Sequence, residues 1–512
     1  MQIERTKNAT RNIFWGIMEK IVTLLLPFVV RTVLIKTLGA EYLGLSGLFT
    51  SILSVLNVTE LGFGTAIVFS MYKPIAEDDN ASLCALLNFY KKIYHIVGMI
   101  IFTGGLVVLP FLPHFIKGSY PNDVNIYVLY LVYLFNTAIG YFLFAYKVAL
   151  FKAHQRNDLI SKRGIVLNFL SNVLQIILLV SFKNYYAYVI VLPLITIITN
   201  LVNAYIAKKF FPNIICAGTI SKETKDGIKK RITGLISYKI YGVIFSSVDT
   251  IVISSFLGLI PLAKFNSYFY VQSAIIGFIT IFTSSITAGI GNKMVTSTRQ
   301  ENYKDFKNLV FINAWISSFC AVSLFCLYQH FIEWWVGKEL LFSFDTMTLM
   351  VLYFLLSRIS VMTYTYREAA GLWWEDRFRP LIAAVVNLSI NLILVQFIGI
   401  NGVIISTLIC TIFINIPWGS AVLFKNYFKR SPAEYFFKLL LYVLVTAGSG
   451  AVTFFICNLL HSQGFGFMLL KGVICLVVPN ALFCLVYHKA QEFEYVKKLA
   501  KNSLKGIKRK AG

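Results

Sequence analysis

The sequence predicts an all-α polytopic membrane protein of about 14 transmembrane helices, on three observations. Of its 512 residues, 57% are hydrophobic and only 14% charged, and mean hydropathy is +0.71. An average soluble domain has roughly 25% charged residues, so too few charges remain here to clothe a soluble core of this length. Apolar runs of about 20 residues, the length that crosses a bilayer, recur along the chain with short polar breaks. Basic residues gather in alternate breaks. Strands of a membrane barrel would alternate polar and apolar residues over about ten positions, and these runs do not.

Taken in order, the runs fall near 13–36, 42–70, 93–113, 124–146, 164–182, 185–207, 232–256, 265–291, 309–331, 346–366, 381–399, 402–424, 439–458 and 466–488. Of the 47 Lys and Arg residues, 37 lie in the two tails and the even-numbered breaks. Only Lys36, Lys117, Lys183, Lys264 and Lys338 lie on the other side, and five lie within spans. Cytoplasmic loops carry the excess of Lys and Arg, so both termini are expected in the cytoplasm, and an even number of spans follows. The net charge of +24 is therefore a membrane signature and not one of nucleic-acid binding. Trp334 and Trp335 sit where interfacial anchors do. The basic tail 489–512 carries Phe493, Val496, Ala500 and Ile507, a pattern that suits either a helix on anionic lipid or a solvated tail.

A repeat runs through the chain. Lys20-Ile21, Val33 and Leu38-Gly39 fall on Lys239-Ile240, Val252 and Leu257-Gly258 at an offset of 219, without a gap. The same offset places Asn168 on Asn387 and Asn172 on Asn391. Span 1 then maps onto span 7 and span 5 onto span 11, as a duplication of six spans requires. The expected organisation is a six-helix bundle over 1–207, a cytoplasmic linker over 208–231 and a second six-helix bundle over 232–424. Two added helices over 425–488 and the basic tail follow. Repeats of this kind form two pseudo-twofold halves with a site near the bilayer midplane.

Charges inside spans are costly and mark cavities or partners. Span 1 carries Lys20 and Arg31, eleven residues apart and so on one helical face. Span 2 carries Glu60, span 7 carries Lys239 and Asp249, and span 10 carries Arg358. Bases outnumber acids, which suggests a cationic cavity. Lys20 and Lys239 could instead snorkel to the cytoplasmic edge, as Lys471 could to the outer one. Asn168, Asn172 and Gln175 share a face, and Asn387 and Asn391 repeat the first two. Such amides either glue helices together or line a polar lumen. The eight cysteines form no CxxC, the six histidines have no metal-ligand spacing, and no nucleotide loop, nucleophile triad or dinucleotide fingerprint occurs. No catalytic residue, metal or cofactor is expected, and the cysteines read as small apolar fillers.

Two segments resemble a known family. Arg31 to Gly44 (RTVLIKTLGAEYLG) and Glu60 to Gly64 (ELGFG) resemble the opening of the polysaccharide flippases, the O-antigen and capsule repeat-unit transporters. Asp249-Thr250-Ile251 running to Leu257-Gly258 resembles their seventh span. The resemblance places the chain in the superfamily of multidrug, oligosaccharidyl-lipid and polysaccharide exporters. It implies alternating access in the bacterial cytoplasmic membrane and a polyprenyl-pyrophosphate-linked oligosaccharide as cargo. Polysaccharide polymerase and glycosyltransferases would be its partners. On this reading Arg31, Lys20, Lys239, Arg358, Asn168, Asn172, Asn387 and Asn391 would contact cargo, since charge-assisted hydrogen bonds suit a pyrophosphate. Asp249 and Glu60 would be the coupling-ion candidates. A lipid II-type flippase and a cation-coupled multidrug exporter of the same fold are the alternatives. A membrane glycosyltransferase or polymerase would be expected to carry long outward loops with acidic or His/Arg motifs, which this chain lacks.

Overall fold

The computed structural model describes residues 5–60, 62–460, 464–499 and 501, without the side chains of some helical positions, Lys239 among them. Among the described residues every regular element is helical and none is a strand. Contacts divide the chain into two units, 1–263 and 264–512.

The first unit contains α1 (Arg5–Thr37), α2 (Ala40–Leu56), α3 (Phe63–Ala76), α4 (Asn80–Val108), α5 (Ile126–Phe142), α6 (Val148–Ala153), α7 (Asn157–Phe182), α8 (Tyr185–Val189), α9 (Val191–Phe210) and α10 (Lys222–Leu257). Side chains at the polar breaks start these helices by accepting backbone N–H groups that lack an intrahelical partner. Asp79 accepts from the Ser82 amide at 3.0 Å, Asn125 from Tyr127 at 3.0 Å, Asn184 from Tyr186 at 2.8 Å and Ser221 from Thr224 at 3.2 Å. Glycine stops two of them: Gly39 at φ 117° separates α1 from α2, and Gly258 at φ 97° ends α10. In both places an L-side chain would be strained.

The helix α11 (Leu259–Thr296) begins in the first unit and continues into the second. The second unit adds α12 (Arg299–Val336), α13 (Phe344–Ile359), α14 (Val361–Ala369), α15 (Phe378–Ile398), α16 (Ile400–Cys410), α17 (Ile416–Leu423), α18 (Ala433–Asn458) and α19 (Phe465–Tyr487). A capping box starts α12: Glu301 N–H donates to Thr298 Oγ1 at 3.3 Å, while Thr298 N–H donates to Glu301 Oε2 at 2.9 Å. Two π-turns, Thr411–Asn415 and Phe424–Phe428, extend α16 and α17 into one continuous segment, 400–428.

Helix lies at each of the fourteen apolar runs. Among the described residues nine helices are long and apolar enough to cross a membrane, and 126–142 with 144–153, bent by 51°, makes a tenth. The protein is an all-α polytopic membrane protein. Four runs that read as continuous are interrupted, 185–207 only by a single turn residue at Ile190. The run 42–70 ends its first helix at Leu56, turns through Asn57–Glu60 and resumes at Phe63. The run 124–146 breaks at Leu143, and 346–366 breaks at Ser360. By contrast α10, with 36 residues, is about 54 Å long at 1.5 Å per residue, and so extends well past a hydrocarbon core of about 30 Å.

The packing boundary lies beyond the linker 208–231. This linker is pinned to the first unit: Asn88 Nδ2 donates to the Gly218 carbonyl at 2.9 Å, and Arg231 Nη1 donates to Ser70 Oγ at 3.0 Å while lying over the Phe69 ring. The helix α10 then packs along α2. The backbone of Gly44 comes so close to Leu259 that a Cβ there would stand 2.5 Å from its carbonyl oxygen.

Candidate functional site

In the first unit the break within span 2 builds a polar site. Gly62, at φ 98° in the left-handed region, starts α3 after the 3-10 turn. Glycine is suited to that backbone, and the interruption frees the last carbonyls of α2 and the first amides of α3. Interrupted helices of this sort are tolerated at membrane depth where protein or a cavity satisfies them.

Glu60 is the last residue of the turn, and its Oε1 accepts from the Tyr94 hydroxyl at 3.1 Å. Tyr94 Oη in turn accepts from Tyr90 at 2.8 Å, the two rings meeting edge to face with centroids 4.4 Å apart. The Tyr141 ring lies 5.1 Å from that of Tyr94, and its hydroxyl donates to Asn57 Oδ1 at 3.3 Å. Gly64 completes the fit: a Cβ there would stand 2.8 Å from the Tyr90 hydroxyl. A cavity of about 460 Å³ opens on this network, lined by Glu60, Thr65, Tyr72, Tyr90, Tyr94 and Lys152 among others. The arrangement presents a carboxylate, whose hydrogen bond from Tyr94 fixes its direction, to a space large enough for several waters and a cation. Such a carboxylate can exchange a proton or hold a cation with the phenol oxygens.

Among the described residues Lys152 is the other charge on its wall, while Arg31, Lys20 and Asp249 are not among its lining residues. Arg31 is half-buried on α1, within electrostatic reach of the Tyr188 hydroxyl. Nearby, Tyr185 Oη donates to the Tyr42 carbonyl at 3.1 Å and Tyr42 Oη to Asp123 Oδ1. Lys20 is half-buried on α1, which packs along α7. Its neighbour Glu19 lies against Gly164, where a Cβ would meet the carboxylate at 2.2 Å, and beside Arg163. Asn172 Nδ2 donates to the Asn168 carbonyl one turn back at 2.6 Å, and Gln175 is buried on the same face. Asp249 is half-buried on α10 amid buried Ser247, Thr250 and Ser254. The side chain of Lys239 lies outside those described.

In the second unit Arg358 stands at the end of α13, just before the break, with Nε 3.4 Å from Ser357 Oγ. Asn313 Nδ2 donates to the Arg358 carbonyl at 2.8 Å and so holds the broken backbone to α12. Asn387 and Asn391 are buried on α15. Asn387 Nδ2 donates to Thr407 Oγ1 at 3.2 Å and to Ser406 Oγ at 3.4 Å on α16, which is the geometry of helix glue.

Two charge clusters escape a reading of the sequence, because their arginines stand in loops that look solvated. Asp376 is fully buried, with Arg367 Nη1 at 3.0 Å and Arg379 Nη2 at 2.8 Å, both from Oδ2. Arg379 Nη1 also donates to Asn415 at 2.7 Å. In the first unit Asp158, equally buried, takes Arg156 Nε at 2.9 Å and Arg11 Nε at 3.7 Å. Each cluster sets one carboxylate between two guanidiniums at the start of span 5 or span 11. The signal in the sequence is an acid among bases, Asp158 and Asp376, 218 residues apart and so within one position of the offset of 219.

Composition and fold together define a class: a multi-span helical membrane protein. Lipid II flippase MurJ in an inward closed conformation superposes with a TM-score of 0.64 at 16% identity, covering 93% of this chain and 99% of that one. An inward-facing multidrug resistance MATE family transporter of the MOP superfamily gives 0.62 at 15%, covering 82% and 99%. A Vibrio cholerae MATE transporter gives 0.55 at 15%, covering 84% and 100%. At such identities the likeness is one of fold. No curated protein sequence matches the chain. The profile of the family described as "Polysaccharide biosynthesis protein" matches residues 9–288, more than half of the chain, and the protein belongs to that family.

Proposed function

We propose that the protein is a flippase. It carries polyprenyl-pyrophosphate-linked oligosaccharide repeat units from the cytoplasmic to the outer leaflet of a bacterial cytoplasmic membrane by alternating access, for surface polysaccharide biosynthesis. The family match over 9–288 is the observation that carries the reading. A pyrophosphate bearing sugars cannot cross about 30 Å of hydrocarbon unaided. Arg31 and Arg358 are the residues to which we assign the phosphates, because a guanidinium can grip them with two parallel bonds. Glycosyltransferases would supply the cargo and a polymerase would consume it.

Glu60 is the coupling group in this proposal. Its carboxylate takes up and releases a proton or a cation as the helix break rearranges, and Asp249 is the second candidate. A membrane potential contributes about 2.3 kcal/mol per charge per 100 mV, enough to bias states that differ by a few kcal/mol.

The test is a deletion strain. Lipid-linked repeat units should accumulate in its inner leaflet, and Glu60→Gln or Arg31→Ala protein, present at wild-type level, should fail to clear them. Normal surface polysaccharide with new sensitivity to cationic drugs would move the assignment to multidrug export. Accumulation of a lipid-linked peptidoglycan precursor would move it to lipid II.

A further inference from the structure

Three cysteines far apart in sequence meet in the second unit. Cys326 on α12, Cys457 on α18 and Cys475 on α19 bring their sulfur atoms within 4.8 Å of one another. Each is at most 3% exposed. Val322, Phe325, Leu327, Phe454 and Ile474 form an apolar shell around them. As fillers, the cysteines would need no such convergence from three helices.

A second observation bears on the same place. Lys471 stands one turn before Cys475 on α19 and is 4% exposed, so it does not snorkel. Its Nζ lies 2.8 Å from His330 Nε2, and His330 stands one turn after Cys326 on α12. Lys471 acts electrostatically on both Cys457 and Cys475. Among the described residues this buried ammonium has no salt bridge. A buried charge is costly unless an opposite charge accompanies it.

We propose that Cys326, Cys457 and Cys475 bind a soft divalent d10 cation of the zinc class. With metal–sulfur bonds of about 2.3 Å, three thiolates around one ion stand about 3.8–4.0 Å apart, so the sulfurs need draw in by about 1 Å or less. Binding converts three thiols to thiolates and releases three protons. The resulting centre carries one negative charge, which the Lys471 ammonium balances. Soft sulfur donors in an apolar shell select such an ion over magnesium or calcium. His330, on the same face of α12 as Cys326, is the fourth donor once its contact with Lys471 yields. The ion ties α18 and α19, the two helices beyond the repeat, to α12.

The test uses the full chain, purified in detergent, reduced and stripped with a chelator, with cadmium and then zinc as probes. One cadmium per chain should bind with a sulfur-to-metal charge-transfer band, zinc should displace it, and the melting temperature should rise. Cys457→Ser and Cys475→Ser should weaken binding at least tenfold, while Cys320→Ser and Cys484→Ser leave it unchanged. In the wild-type protein, which avoids any folding defect of the variants, cadmium should slow alkylation of Cys326, Cys457 and Cys475 by a membrane-permeant maleimide, but not that of Cys84 or Cys216. Absence of the band, its survival in both serine variants, or equal alkylation with and without cadmium would overturn the proposal.

Discussion

Asn at position 376 should unfold the second unit far more readily than the loss of an ordinary ion pair would. In the native cluster both guanidiniums bind the same carboxylate oxygen, at 3.0 and 2.8 Å. Their nitrogens are therefore under ~6 Å apart, and at an effective dielectric of about 20 they repel by about 3 kcal/mol once Asp376→Asn removes the charge between them. Neither can relax into water, since the side chains of Arg367 and Arg379 are only 8% and 6% exposed. Breaking a buried pair by deleting one partner costs about 3–5 kcal/mol, and the repulsion places this change within that range.

Lys293–Asp305 is the control. It is shorter, at 2.6 Å, but its side chains are 57% and 26% exposed, so Asp305→Asn should cost under about 1 kcal/mol. Denaturant or thermal unfolding in detergent reads both. Replacing Arg367, Asp376 and Arg379 together by leucine should restore most of the loss, because no charge then remains buried. If Asp376→Asn costs no more than Asp305→Asn, or the triple replacement is worse than the single, the electrostatic account of the cluster is wrong.

Three further outcomes are expected. Gly44→Ala should destabilise the first unit by about 1–3 kcal/mol, because the new Cβ would stand 2.5 Å from the Leu259 carbonyl, and unfolding of the detergent-solubilised protein measures it. Thr298→Ala removes the capping-box acceptor at the start of α12 and should cost about 1 kcal/mol, with Thr298→Ser close to wild type in the same assay. Reporter fusions after Lys230 and Lys510 should score as cytoplasmic and those near Lys117 and Lys338 as external. An external signal from 208–231 would defeat the sidedness drawn from the basic residues.

The spans were legible because their cause is local: a run of about 20 apolar residues has few other places to go. The sequence also marks where a helix must stop, at Gly39, Gly258 and Gly337, though their left-handed backbone shows only in the structure. The break at Gly62 was harder to see, because apolar neighbours hide it from a hydropathy reading. The partners of Glu60 lay beyond such a reading altogether, since Tyr90, Tyr94 and Tyr141 come from other spans. Loop arginines looked solvated until Asp158 and Asp376 were seen buried beneath them. Composition likewise made the cysteines look inert, and only helix packing brings three of them together. The paired amides of the repeat, Asn387 and Asn391, were legible as polar. Their bonding across to α16, for Asn387 at least, is tertiary.

Because α10 packs along α2, and Leu259 just beyond its end closes against Gly44, seven spans must leave the ribosome before the first unit has its full set of neighbours. A nascent chain paused between 208 and 231 would hold six inserted helices and an unfilled groove on α2, a natural substrate for membrane chaperones or quality-control proteases. The gene is therefore better divided at Gly258, the stop between α10 and α11, than inside the basic linker. Two fragments made from that division would each enter the membrane with its own helices already matched. Fragments cut at the linker would have to find α10 across the bilayer plane after synthesis.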